Sequence, residues 1–83
     1  MQPPPSLPLA SIRKRRLLSQ RALAKKAGVA LSTIYLLEAA RTAHATFKVI
    51  RAVSEALDVP PESIAEFRRV LDADPHTSLE PRA

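Results

Sequence analysis

The chain has 83 residues, 46% apolar and 4% aromatic, with one glycine, eight prolines and no cysteine. That length makes one domain near the lower limit for a self-sufficient core, and the lack of cysteine excludes disulfides and thiolate metal sites. The net charge of +5 is unevenly spread: residues 1–51 hold ten Lys and Arg against the single acid Glu38, a net +9, whereas residues 52–83 hold three Arg against seven acids, a net −4. A basic N-terminal part beside an acidic C-terminal part suggests one face for a polyanion and another for a different partner.

Residues 1–7 contain Pro3, Pro4 and Pro5, which can continue neither a helix nor a sheet ladder, and are expected to form a flexible arm without positive charge. A first helix is predicted from Pro8 or Leu9 to about Leu17, with Leu9, Ile12 and Arg16 on one stripe. The cluster Arg13-Lys14-Arg15-Arg16 wraps round that helix, so its members cannot all face one partner. Ser19 is a suitable N-cap for a second helix over Gln20 to Ala27, in which Leu23, Ala24 and Ala27 face inward. Gly28 is the only glycine. Standing between two apolar helical patterns, it marks a tight turn that needs positive φ. A third helix is predicted over Leu31 to Ala39, with Ile34 and Leu37 on its core side and Ser32, Tyr35 and Leu36 on the other. Two short helices closed by such a turn form a helix-turn-helix.

Ala39 to Ala45 reads as a loop, with Arg41 and His44 placed to meet phosphate. Thr46 is a credible N-cap for a fourth helix running to Val59, whose core stripe is Phe47, Ile50, Val53, Ala56 and Leu57. The free N–H groups at its start suit a phosphate, and Lys48 sits on its exposed side. Pro60-Pro61-Glu62 is predicted to open a fifth helix, on which Ile64, Phe67, Val70 and Leu71 share one stripe. Phe67, Val70 and Leu71 are the expected dimer surface. Residues 72–83, with Pro75 and Pro81 and no period, are expected to be a disordered tail. The predicted fold is therefore all-α: a compact five-helix bundle over residues 8–71, built round a helix-turn-helix.

The run Leu18-Ser19-Gln20, Leu23-Ala24, Ala27-Gly28-Val29, Ser32-Thr33-Ile34 and Glu38 resembles the phage repressor/Cro-type (XRE-family) helix-turn-helix of bacterial transcription regulators. The likeness extends from about Leu9 to Phe67. It implies that Arg13 pairs with Glu38, and that the third helix enters the major groove with Leu31, Ser32 and Leu36, and Tyr35 beside them, at the base-reading positions. It further implies phosphate contacts from Gln20, Arg41, His44, Thr46 and Lys48. Relatives often carry glycine where this chain has Leu17, Ala40 and Asp58.

No glycine-rich phosphate loop is present, no paired carboxylates stand near a nucleophile, and His44 and His76 lack ligand spacing. No enzyme, cofactor or metal is expected. No apolar run approaches the ~20 residues of a membrane span and no signal peptide is visible, which predicts a soluble cytoplasmic protein. The expected function is a sequence-specific regulator of double-stranded DNA, a repressor acting as a homodimer on a palindromic operator. Two alternatives stay open. One is the DNA-binding antitoxin of a toxin–antitoxin pair, whose acidic C-terminal part would hold a basic toxin. The other is a protein-interaction module that keeps the fold without base reading, for which the apolar pair Leu31 and Leu36 would be the contact.

Overall fold

The computed structural model describes residues 5–73. Five α-helices follow one another there: α1 (Leu9–Arg15), α2 (Gln20–Ala27), α3 (Leu31–Glu38), α4 (Phe47–Leu57) and α5 (Ala65–Ala73), with 3-10 turns at Thr42–His44 and Pro61–Ser63. Most of the expected arm (1–4) and tail (74–83) lies outside the described residues.

Two of the helix starts are decided locally. Ser19 is extended and its Oγ accepts from the Ala22 N–H at 3.0 Å. Thr46 does the same for α4, its Oγ1 accepting from the Val49 N–H at 3.2 Å. Each bond satisfies one of the amides that a helix start leaves without a partner, worth about 1 kcal/mol. A third start is decided from afar. Pro8 precedes α1 and offers no side-chain acceptor. The buried carboxylate of Glu66, on α5, takes its place: Oε1 accepts from the Leu9 N–H at 2.8 Å. Ala30, before α3, makes no side-chain cap bond.

The first four helices all end in the same way. Each closes with a residue at positive φ: Leu17 (61°), Gly28 (73°), Ala40 (63°) and Asp58 (58°). The N–H of the following residue reaches back to a carbonyl in the last turn, in the bonds Leu18 to Arg13, Val29 to Ala24, Arg41 to Leu36 and Val59 to Ser54. These are Schellman endings, which satisfy carbonyls left over at a helix terminus. Leu18, Val29 and Val59, just past three of those ends, are half-buried against the core. Only Gly28 adopts the left-handed conformation without steric cost; Leu17, Ala40 and Asp58 adopt it with a side chain present.

The core consists of Leu9 and Ile12 from α1, Leu23 and Ala24 from α2, Ile34 and Leu37 from α3, Ile50, Val53, Ala56 and Leu57 from α4, and Ile64 and Phe67 near and on α5, with Ala45 at one end. Burying a large apolar side chain contributes about 1.5–3 kcal/mol, so this cluster is the main source of stability. Four expectations are corrected here. Phe67 is fully buried in the core and offers no surface for a partner. Phe47, expected inside, is 61% exposed; it occupies the first turn of α4, and the loop residue Ala45 closes the core at that end instead. The fifth helix starts at Ala65 rather than at the prolines. Ile64 is extended and forms a parallel bridge with Leu7, through Leu7 N–H to Ser63 O (2.9 Å) and Ala65 N–H to Leu7 O (2.7 Å). That pairing claims backbone groups that a continuous helix would need, and it fastens Leu7, the last residue of the expected flexible arm. Finally, Asp72 and Ala73 belong to α5 rather than to the tail.

The helix endings predict opposite effects for two substitutions. Leu17 is 91% exposed, so Leu17→Gly removes left-handed strain at little cost in contacts. It should stabilise by about 0.5–1 kcal/mol, the strain of about 1–2 kcal/mol less the extra chain entropy of glycine. A Cβ added at Gly28 meets nothing within 4 Å, so Gly28→Ala should destabilise through backbone strain alone. The expected loss is about 1 kcal/mol, with Gly28→Val costing more. Chemical denaturation of the three variants against the parent checks the pattern.

Candidate nucleic-acid interface

The helix-turn-helix is held by one carboxylate. Glu38 ends α3, where a negative charge opposes the helix dipole. It is stabilised there by three donated hydrogen bonds. Arg13 on α1 grips it with two, Nε to Oε2 at 2.5 Å and Nη2 to Oε1 at 3.1 Å. Gln20, the first residue of α2, gives the third, Nε2 to Oε1 at 2.9 Å. The remaining end of the guanidinium donates through Nη1 to the Leu18 carbonyl at 2.9 Å. The side chains of Arg13 and Glu38 are only 10% and 9% exposed, so water screens the pair weakly. Their contacts join α1, the α1–α2 turn, the start of α2 and the end of α3.

With Ile34 and Leu37 buried, that anchorage leaves the opposite side of α3 to solvent. Ser32 is exposed, Leu31 is 38% exposed and Tyr35 is 61% exposed. Leu36 is half-buried, and its carbonyl closes the end of α3 by accepting from the Arg41 N–H at 2.9 Å. Beyond α3, Arg41, His44, Thr46 and Lys48 are all exposed along the loop and the first turn of α4. Arg21, Lys25 and Lys26 are exposed on α2. Of the expected phosphate contacts, four are therefore on the surface. The fifth is not free in the expected way, because the Gln20 amide is committed to Glu38. At the fifth helix, Val70 and Leu71 are half-buried.

Two contacts had no clear sequence signal, the Gln20–Glu38 bond and the Glu66–Leu9 bond. The one available hint for the second was that Pro8 cannot cap α1, so another acceptor was required. Among the described residues no cluster of His, Cys, Asp or Glu is arranged to hold a metal ion, and no helix is long and apolar enough to cross a membrane.

A short α2, a left-handed turn and a short α3 with one side clamped and the other exposed define a helix-turn-helix DNA-binding domain. A family model described as helix-turn-helix matches residues 9–64, more than half of the chain. The chain belongs to that family, the Cro/repressor-type helix-turn-helix regulators, and is a DNA-binding transcription regulator. No curated protein and no solved structure matches it.

The Glu38 network makes a quantitative prediction. Arg13→Leu or Glu38→Leu alone leaves a buried charge without its partner and should destabilise by about 3–5 kcal/mol. The double variant should lose clearly less than the sum, with a coupling of more than about 1 kcal/mol in a double-mutant cycle. Additive losses would show that the pair does not act as a unit.

Proposed function

We propose that the protein represses transcription by binding a palindromic operator as a homodimer, with α3 of each copy in the major groove. The observation that carries this reading is the division of α3: Ile34, Leu37 and Glu38 bind it to the domain, while Leu31, Ser32 and Tyr35 stand clear of it. Ser32 and Tyr35 can hydrogen-bond base edges, and Leu31 can pack on a thymine methyl, with the uncovered part of Leu36 adding to that contact. Arg41, His44 and Lys48 supply phosphate contacts from side chains. Thr46 contributes by exposing the first amides of α4, and Gln20 can contribute through its backbone amide at the start of α2.

The dimer is assigned to α5 and its neighbour α4. Val70 and Leu71 remain for this role once Phe67 is buried, and exposed Phe47 lines a groove of about 310 Å³ together with Leu71. A two-fold through this region would set two recognition helices about 34 Å apart, one turn of DNA. Sedimentation at micromolar concentration should show a dimer, and Leu71→Glu should shift it to monomer with helicity retained. Monomer alone for the parent, with and without DNA, would remove this assembly.

Binding itself has two separable signatures. If a dimer neutralises about 5–8 phosphates, log affinity should fall with log salt at a slope of about −5 to −7, and Arg41→Ala should flatten that slope for every sequence alike. Base reading is tested separately: replacing thymine by uracil at single half-site positions should weaken binding by up to about 1 kcal/mol where a leucine covers the methyl. A specific observation also supports the interaction-module reading, since Leu31 and Tyr35 on α3 both expose apolar surface. Selection from random duplexes decides between them. Enrichment of a palindrome supports the repressor, and enrichment of nothing supports a protein contact.

A further inference from the structure

The positive charge of the N-terminal half is not all gathered round α3. Arg15 and Arg16 stand at the end of α1, where Arg16 Nε donates to the carbonyl of Leu57 at 2.9 Å. Leu57 is the last of the eleven residues of α4. At a rise of about 1.5 Å per residue it lies about 15 Å from the Thr46 end, where the phosphate contacts are expected. These two arginines are therefore surplus to the DNA-binding surface.

Beside them lies a groove of about 490 Å³. Leu7, Ile12 and Val59 give it an apolar lining, Arg15 and Arg16 a cationic one, and among the described residues no acidic side chain lines it. Its volume is within the range of small-ligand sites, about 300–1,000 Å³. Arg16 is already oriented: the Leu57 carbonyl holds Nε, and no partner engages its two terminal nitrogens among the described residues. A guanidinium fixed in this way presents a planar pair of donors that matches a carboxylate, with less side-chain freedom to lose on binding. The apolar lining asks for something a backbone phosphate lacks, a hydrocarbon body attached to the anion.

We propose that this groove binds a small amphipathic carboxylate. The carboxylate sits on the terminal nitrogens of Arg16 with Arg15 adding charge, and an aliphatic or aryl body covers Leu7, Ile12 and Val59. This goes beyond the DNA-binding reading and does not depend on it, because neither arginine belongs to the assigned DNA surface.

The test is a titration of the full-length chain with sodium octanoate, followed by amide NMR. The expected result is saturable shifts centred on Leu7, Ile12, Arg16 and Val59. Octanamide, of the same length and uncharged, should bind about tenfold or more weakly, as should octanoate to Arg16→Gln, which loses a charged hydrogen bond. Lys14→Gln removes the same charge from an exposed position outside the groove and should change affinity less than about twofold. If Arg16→Gln fails to fold, Arg15→Gln keeps the Leu57 bond and decides, with an expected loss of about threefold or more. The proposal is overturned by equal binding of octanamide and octanoate, by equal losses in the Lys14 and arginine variants, or by unsaturable shifts spread over Tyr35 and Phe47. It is equally overturned if octanoate causes no shifts, or if residues 1–4 show cross-peaks to Ile12 and Val59 and so occupy the groove themselves.

Discussion

The geometry of the recognition unit depends on the carboxylate of Glu38. Taken alone, α3 is a poor helix: it has eight residues, no side-chain cap at Ala30 and an acid at its C-terminal end. An isolated helix of that length is unstable in water. Two arginine nitrogens and the Gln20 amide compensate the charge at its end, while Ile34 and Leu37 hold its underside. Because the donors come from α1 and α2, the direction of α3 is set by both. The same Arg13 also takes the Leu18 carbonyl, so the turn before α2 is tied into the network.

The repeated helix ending explains how so short a chain fits five helices round one core. Each Schellman turn reverses the chain within a few residues, and at three of the four ends the residue that follows, Leu18, Val29 or Val59, turns back onto the core. That apolar contact is the usual companion of the motif and helps explain why Leu17 and Asp58 persist at positive φ without glycine. At Ala40 the following residue is the exposed Arg41, so no such contact supports it. There the turn is maintained by its backbone bonds, from Ala40 N–H to Leu37 O at 3.0 Å and from Arg41 N–H to Leu36 O at 2.9 Å.

The far side of the domain is joined by two links that bring the chain's beginning to α5. Glu66 caps α1, and the Leu7–Ile64 bridge fastens the segment before it. Together with Arg16 on the Leu57 carbonyl, they anchor both ends of α1, the helix that carries Arg13. A correctly held α1 is a condition for a correctly held Glu38, so contacts remote from α3 bear on the surface it presents.

The sequence by itself determined what depends on near neighbours. The periods of α2, α3 and α4, the Ser19 and Thr46 caps and the turn at Gly28 all arise from residues within a few positions of one another. The Arg13–Glu38 pairing, across 25 positions, was legible only as what the resemblance to the family implies. The tertiary structure alone decided which apolar side chains of the stripes are covered. Phe47 and Phe67 both fit a helical stripe, yet one is 61% exposed and the other fully buried, because coverage depends on what packs opposite and not on spacing. It also decided the bonds made across long separations. Gln20 turns its amide to Glu38, 18 positions away, and Glu66 reaches Leu9 across 57. Such a bond forms only where folding has already removed both groups from water and left each without a nearer partner.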